Sequence, residues 1–408
     1  MATIKTSSSL VYQNLALLFI SLMYIPLIPP LAETQPIFLL ALGFFLLAIK
    51  KVSVNYFFVA LIYFLLMSAT AILQSQLERE FVQELFKLLL VLFLAFLLYN
   101  SLGYGTKWFY KFFILIHISI AALTLLGLGD WLSLIFPRYV SFEGGRGLSY
   151  LSSEPSYAAT YIFFITLVYT LGFNQRYFTS RMTQIFLLGI LLSTFSLISF
   201  FYFLIIMLIS LSNVSTKKKI YVALIAGASI MGFVFSVERF ANELFPLIEA
   251  VFSQSQDYQE LAINYPSAST RVILNSVAIL DGLDRVFLLP GDSYSQALPD
   301  LLDRYGLEQI LIRHEVIGAL YNEGVNLKPQ ALFPYIVYVF GILSLPFIFY
   351  PLYVLGKTFL SRSYLLFIAG IFILFLFYFY QSQYVNPIQL FVFIIIEKFV
   401  AATKRAAH

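Results

Sequence analysis

The feature that most constrains this chain is a succession of long runs of Leu, Ile, Phe, Val and Tyr, separated by short polar interruptions. A helix needs about 20 mostly apolar residues, within a range of roughly 17–25, to cross the hydrocarbon of a bilayer. Runs that reach or approach this length fall at 11–31, 36–49, 53–73, 86–102, 107–128, 156–173, 184–197, 199–213, 220–238, 333–355, 363–380 and 386–401. They predict an all-α polytopic membrane protein with about twelve transmembrane helices in a single integral membrane domain, 1–408. Charge supports this, because only 11% of the residues are Asp, Glu, Lys or Arg, against roughly 25% in a soluble domain. The first run contains Pro26, Pro29 and Pro30 and lacks a small-residue cleavage site, so it counts as a span and not as a signal peptide. With no cysteine, disulfide and thiol chemistry are excluded.

The least regular point is the continuous run 184–213. The dip at Ser193-Thr194-Phe195-Ser196 divides it into two helices; one long tilted helix is the alternative and would invert everything downstream. Basic residues arbitrate. With twelve spans and both termini inside, the cytoplasmic side holds Lys5, Lys50, Lys51, Lys107, Lys111, Arg176, Arg181, Lys217, Lys218, Lys219, Lys357, Arg362, Lys398, Lys404 and Arg405, and Glu397 is the one acid with them. This follows the positive-inside rule. Eleven spans would put Lys217, Lys218 and Lys219 outside.

Two outward segments then stand out. The loop 129–155 ends in Glu143 to Tyr157, EGGRGLSYLSSEPSY, the densest polar stretch between two apolar runs. The large loop 239–332 carries helical patterning. Phe240, Leu244, Phe245, Leu247, Ile248, Val251 and Phe252 recur at helical spacing, suited to a membrane surface. Arg271 heads a second helix that ends near Asp281-Gly282, Pro290-Gly291-Asp292 reads as a turn, and Ala297 to Tyr321 contains one or two further helices.

Several residues here suit chemistry on a phosphorylated ligand. Arg146 lies among Gly144, Gly145 and Gly147, where the backbone can approach a ligand closely and the guanidinium offers a planar fork for phosphate. The other reading is an interfacial arginine paired with Glu143 or a lipid headgroup. Glu154-Pro155-Ser156 has the form of a helix start, whose positive end attracts an anion; equally, Glu154 could only cap it. Arg271 is a second phosphate ligand or a solvated arginine. His314, within Arg313-His314-Glu315, is a candidate general base or part of a solvated helix face. Lys328, before the tenth span, touches a polar headgroup or snorkels from the apolar phase. Tyr150, Tyr157, Tyr294 and Tyr305 lie near the polar loops and could stack on sugars. HExxH, DxD, paired histidines, P-loop and Gly-x-Gly-x-x-Gly patterns are all missing, so neither a metal, a cofactor nor a nucleic-acid partner is expected.

At GRGLSYLSSEPSYAA the chain resembles the bacterial O-antigen polymerase and O-antigen ligase superfamily. Arg146 and Glu154-Pro155-Ser156 match its arginine and Glu-Pro-Ser step before a mid-chain span. The segment 239–332 matches its large periplasmic loop. Arg271, a helix and Leu288-Leu289-Pro290-Gly291-Asp292 match its arginine, helix and Pro/Gly turn. Ligases of this kind place a His-Asn pair before the span that follows the large loop; this chain has Asn326-Leu327-Lys328-Pro329-Gln330 there and no histidine. The resemblance therefore implies the polymerase, a metal-independent glycosyltransferase of GT-C-like architecture in the bacterial inner membrane, with its active site facing the periplasm.

What the resemblance implies about chemistry is specific. A polyprenyl diphosphate-linked oligosaccharide serves as donor, and a second lipid-linked repeat unit as acceptor. The acceptor hydroxyl attacks the anomeric carbon and polyprenyl diphosphate leaves. Arg146 and Arg271 would meet its developing charge, Glu154 or His314 would take the proton, and Gly147, Ser156, Tyr157, Arg313 and Lys328 would bind substrate. Membrane lipid and a chain-length regulator are further implied partners. The ligase of the same superfamily is one rival; a secondary transporter or flippase of lipid-linked sugars is another. A transporter places polar groups at the bilayer midplane, whereas these spans are almost free of ionisable residues.

Overall fold

Wherever the chain is described, apolar periodicity has resolved into helices. The structure, a computed structural model, describes residues 7–22, 24, 65, 102–128, 147–152, 154–173, 178–211, 263, 266–285, 294–324, 327–380 and 388–407, and no strand occurs among them. The chain is all-α over these residues. Arg146, the expected spans 36–49 and 220–238, nearly all of 53–73 and 86–102, the Phe240 to Phe252 pattern and the Pro290-Gly291-Asp292 turn lie outside them.

The first ordered contacts join α1 (Ser7–Leu22) to α2 (Lys107–Leu125). Thr106 caps α2, its hydroxyl accepting from Phe109 N, and Asn14 of α1 grips both the hydroxyl (3.0 Å) and the amide (2.8 Å) of Thr106. Helix α2 buries Phe109, Tyr110, Phe113, His117, Ile120 and Thr124 on one stripe. Trp108, Phe112, Leu115, Ile118 and Leu125 remain exposed on the other. Its 19 residues run about 28 Å. Among the described residues it is the one helix long and apolar enough to cross a membrane; Thr179–Leu192, Ile198–Leu211, Leu345–Leu360 and Tyr364–Tyr378 are apolar but shorter.

Helix α3 (Pro155–Gly172) is apolar all round and is buried all round, from Tyr157 to Leu171. It packs against α1, α4 (Phe178–Leu192), α5 (Leu197–Leu211) and α13 (Ile388–Ala407). Helices α4 and α5 are separate, divided at Ser193–Ser196 as the sequence suggested. Local side chains make the break. Ser193 and Thr194 donate back to Ile190 O and Leu191 O, and Ser196 Oγ accepts from Ser199 N at 3.2 Å, the bond of a helix N-cap.

In the large loop, α6 (Pro266–Asp284) is followed by α7 (Tyr294–Arg304), α8 (Gln309–Arg313) and α9 (Glu315–Asn322). Helix α6 begins one turn earlier than the sequence implied, so Arg271 sits inside it. Nor does it stand off as a soluble element. It runs parallel to α10 (Leu332–Phe340). Asn275 meets Gln330 and Ala331, Gly282 lies against Val337, and Arg285 reaches Tyr338. The buried Asn275 Oδ1 accepts from Gln330 N (2.7 Å) and Ala331 N (3.0 Å), capping a helix whose own N-cap residue, Ala331, has no side-chain acceptor.

The expected span 333–355 is not one helix. Helix α10 stops at Gly341, a 3₁₀ turn covers Gly341–Ser344, and α11 (Leu345–Leu360) continues. At the break Gly341 has φ +50°, and a Cβ there would lie 2.6 Å from Arg285 O. Arg285 braces the break, donating to Tyr338 O (2.7 Å) while its Nε holds Asp281 at 2.7 Å. The guanidinium thereby joins the carbonyl end of α10 to the Asp281 carboxylate of α6. Helix α12 (Tyr364–Phe375) runs on as a π-turn at Leu376–Tyr380 that packs against α6 and α10. At the opposite end of α11, Lys357 Nζ pairs with the largely buried Glu397 of α13 at 2.6 Å, and Tyr350 Oη donates to the same carboxylate.

Gly341→Ala should therefore destabilise the fold by about 2 kcal/mol or more, through both strain and the clash with Arg285 O. Gly356→Ala, in α11 with nothing near its Cβ, should be neutral or stabilising by up to about 1 kcal/mol. Thermal unfolding of the two purified variants measures the contrast.

Candidate functional site

The start of α3 and the loop before it form the centre of the site. Pro155 is at the first helical position and Glu154 at the N-cap, with extended backbone (φ −141°, ψ 146°). The Glu154 side chain does not cap. Its carboxylate is exposed and accepts from Ser156 Oγ at 3.3 Å, while its carbonyl takes Tyr157 N and Ala158 N, both at 3.1 Å, and Ser152 Oγ at 2.7 Å. The glutamate carboxylate is thus left at the helix mouth while its backbone starts the helix.

The loop Gly147–Ser152 is pressed onto the turn between α4 and α5. A Cβ at Gly147 would lie 2.1 Å from Thr194 C and O, so only glycine allows this approach. Leu148 N donates to Ser193 O at 3.0 Å, and the Tyr150 and Ser193 hydroxyls bond to each other. Beneath the loop runs a directed chain of hydrogen bonds. Leu151 N reaches Tyr161 Oη (3.4 Å), Tyr161 Oη meets His117 Nε2 (2.9 Å), and His117 Nδ1 meets Phe113 O (2.8 Å). Since a carbonyl can only accept, Nδ1 carries a proton. His117 is a buried ring held between α2 and α3. The loop that precedes α3 is fixed from below by α2 and from the side by the α4–α5 turn.

Arg271 is half-buried on α6, and Tyr202 of α5 is fully buried. Thr160 Oγ1 donates to Ser156 O at 3.0 Å. Asn275, one turn after Arg271, holds Gln330 and Ala331, which brings the segment containing Lys328 to α6 as well. Lys328 is half-buried, and its carbonyl accepts from Gln330 Nε2 at 3.4 Å.

His314 has a different position from the one its sequence context implied. It is almost fully buried and is the N-cap of α9, with Nδ1 accepting from Val316 N (3.2 Å) and Ile317 N (3.1 Å). That leaves the proton on Nε2, which donates to Ser269 Oγ at 2.9 Å. Burial, the larger influence, keeps its pKa below the usual 6.5 despite the opposing pull of the local backbone and Glu315. A general base needs an available lone pair; the one on His314 is occupied by α9. Arg313, next to it, is exposed at the end of α8.

The tyrosines separate clearly. Tyr150, Tyr157 and Tyr294 are buried: Tyr157 stacks on Tyr24 (5.8 Å) and Tyr294 Oη donates to Leu274 O (2.7 Å). They are packing residues, not sugar platforms. Tyr305 is partly exposed and donates to Asp284 at 3.0 Å. Sequence reasoning missed Asn275 and Thr160. Of these, only Thr160 had a signal, its spacing of four from Ser156. No group of three or more His, Cys, Asp or Glu that could hold a metal occurs among the described residues.

Comparison of the chain with known protein families, with curated proteins and with solved structures found no match.

If His314 is a cap, His314→Ala should cost about 1–2 kcal/mol and His314→Asn much less, because Asn caps well. The sign with pH follows from the lowered value: the folded form prefers neutral His314, so its stabilisation is complete above about pH 6.5 and declines as the pH falls below it. Between pH 7.5 and 5 the wild type should lose more stability than His314→Asn, as measured by thermal unfolding at each pH.

Proposed function

We propose that this protein is a polysaccharide polymerase of a bacterial inner membrane, with about twelve spans, joining polyprenyl diphosphate-linked oligosaccharides at the outer face. The observation that carries the reading is the start of α3, where the exposed Glu154 carboxylate stands at the helix mouth beside the tightly packed loop Gly147–Ser152. Arg146 directly precedes that loop in the sequence, and Arg271 is carried on α6. A diphosphate leaving group gains negative charge as the glycosidic bond breaks. Arginines offer that charge paired hydrogen bonds, each stronger than a neutral one. In this reading Arg146 and Arg271 clamp the diphosphate, the amide end of α3 adds its dipole, and the exposed Glu154 takes the proton from the acceptor hydroxyl.

Membrane embedding is supported by where the apolar side chains lie. Besides α2, exposed large apolar residues line α4 (Met182, Ile185, Phe186), α11 (Phe349, Leu352, Phe359, Leu360) and α12 (Ile368, Ile371, Phe372, Phe375). Faces of this kind are costly in water and suited to lipid. A transporter of lipid-linked sugars would share the interrupted helix at Gly341, since broken helices often line transport sites. Here the break carries Arg285 on Tyr338 O.

Two experiments test this reading. Arg146→Ala and Arg271→Ala, each verified as folded, should lower polymer formation from a lipid-linked repeat unit by about 100-fold or more. Near-wild-type rates in both would remove the clamp, and movement of the lipid across a membrane without elongation would favour a transporter. The chain has no cysteine, so single cysteines report topology directly. A cysteine replacing Lys218 should react with an impermeant thiol reagent only from the cytoplasmic side, and one replacing Glu308 only from the periplasmic side. Labelling of both from one side would rule out twelve spans.

A further inference from the structure

We propose that Gln389, in the first turn of α13, is a ligand-binding residue: its side-chain amide takes two neighbouring hydroxyls of a sugar ring. The inference deepens, and rests on, the reading of the substrate as a lipid-linked oligosaccharide.

The amide is an exception to how this bundle treats a buried glutamine. Gln389 is fully buried, and neither Nε2 nor Oε1 meets a hydrogen-bond partner among the described residues. Gln184 of α4 shows the ordinary arrangement. Also buried, it donates through Nε2 to Thr170 Oγ1 (3.3 Å) and to Ser210 Oγ (2.6 Å), joining α4 to α3 and α5. A buried amide left unbonded costs stability at its oxygen and at its nitrogen. Packing does not call for it. From Ile388 to Ile396 every other side chain of α13 is apolar, and methionine would fill the same volume.

The position directs the amide. Side chains of a helix lean toward its N-terminus, so Gln389 leans to the mouth of α13, where first-turn backbone amides make a positive end. Phe391, two positions on, meets Phe164 of α3 with centroids 6.2 Å apart, and Phe393, one turn on, meets Phe377 of the π-turn at 6.2 Å. Gln389 shares its face with Phe393 and so looks to the seam between α13 and the π-turn, away from α3. Turns of this kind are frequent at functional sites, and this one also packs against α6 and α10.

The amide selects the chemistry as well. An anion would engage Nε2 and leave Oε1 unmatched; a cation would do the reverse. A ligand that donates and accepts at neighbouring atoms satisfies both, and the vicinal hydroxyls of a sugar do so. The first ionisable residue of α13 is Glu397, two turns away, so no charge on the helix competes at its mouth. Because the amide is closed to water, admission of the ring requires the seam to part.

The experiment uses the full-length purified protein and thermal unfolding, alone and with two probes: the polyprenyl diphosphate-linked repeat unit, and polyprenyl diphosphate without sugar. Gln389→Met keeps the volume and removes both polar atoms. Without a probe it should unfold at or above the wild-type midpoint, whereas Gln184→Met, which loses two hydrogen bonds, should unfold below it. The repeat unit should half-saturate Gln389→Met at a roughly tenfold higher concentration than wild type, while polyprenyl diphosphate should act equally on both. A lowered midpoint of Gln389→Met without a probe marks an amide already bonded in the free protein and overturns the inference. So does a wild-type response to the repeat unit. An equal loss of response to both probes also overturns it, because the contact is then not to sugar. If the repeat unit stabilises the wild type through Gln389 but no polymer forms, the sugar contact stands and the polymerase reading fails. If the repeat unit does not stabilise the wild type at all, both fall together.

Discussion

A helix with no polar face is stable only inside other helices, and α3 is such a helix. From Tyr157 to Leu171 every side chain is buried, so α1, α4, α5 and α13 have to surround it. This fixes one end of the bundle. The two polar ends of α3 are the only places where its chain can meet water or a ligand, and one of them is Glu154-Pro155-Ser156. Proline contributes to the same result. It has no N–H to leave unsatisfied at the first helical position, and its φ suits the helix. A buried rod thus presents one polar end in a definite place.

Elsewhere in the described chain, helix ends are closed by side chains, some local and some from other elements. Asn275 of α6 caps α10, Arg285 braces the end of α10, Ser196 caps α5, and His314 caps α9 while holding Ser269 of α6. Three of the four involve α6 or the residue just after it. Unsatisfied backbone groups cost about 1–3 kcal/mol each when buried, so these contacts fix α6 in register as well as stabilising it. Arg271 is carried on a helix already tied at both ends.

The fold was legible where apolar periodicity was long and bounded. Helix α2, α3 and the division at Ser193–Ser196 follow from runs and from Ser/Thr chemistry that any reader of the sequence can see. The interruption at Gly341 was not, because Gly-Ile-Leu-Ser within an apolar run has no polar marker; its cause is Arg285 O, fifty-six positions away in number and close only after folding. For the same reason α6 looked like a solvated loop helix. Asn275 and Asp281 read as polar surface residues until their partners on α10 and α7 are known. At the site, Glu154-Pro155 and Arg271 were legible as residue types. His314 was misassigned, since its neighbours Arg313 and Glu315 suggest a charged face, whereas the imidazole itself turns inward.

The corrected place of His314 sharpens the proposed chemistry. With its Nδ1 lone pair engaged by two backbone amides, proton transfer falls to a group with free acceptor capacity at the mouth of α3. Glu154 has that geometry: its backbone carbonyl carries the helix start, its carboxylate receives only the Ser156 hydroxyl among the bonds described, and it is exposed. Glu154→Gln keeps the shape and the hydrogen bond from Ser156 but removes the basic oxygen. In the proposed reaction it should depress polymer formation while leaving stabilisation by polyprenyl diphosphate intact. Arg271→Ala should weaken both. A base and a clamp are distinguished in this way because one acts on the acceptor proton and the other on the leaving group.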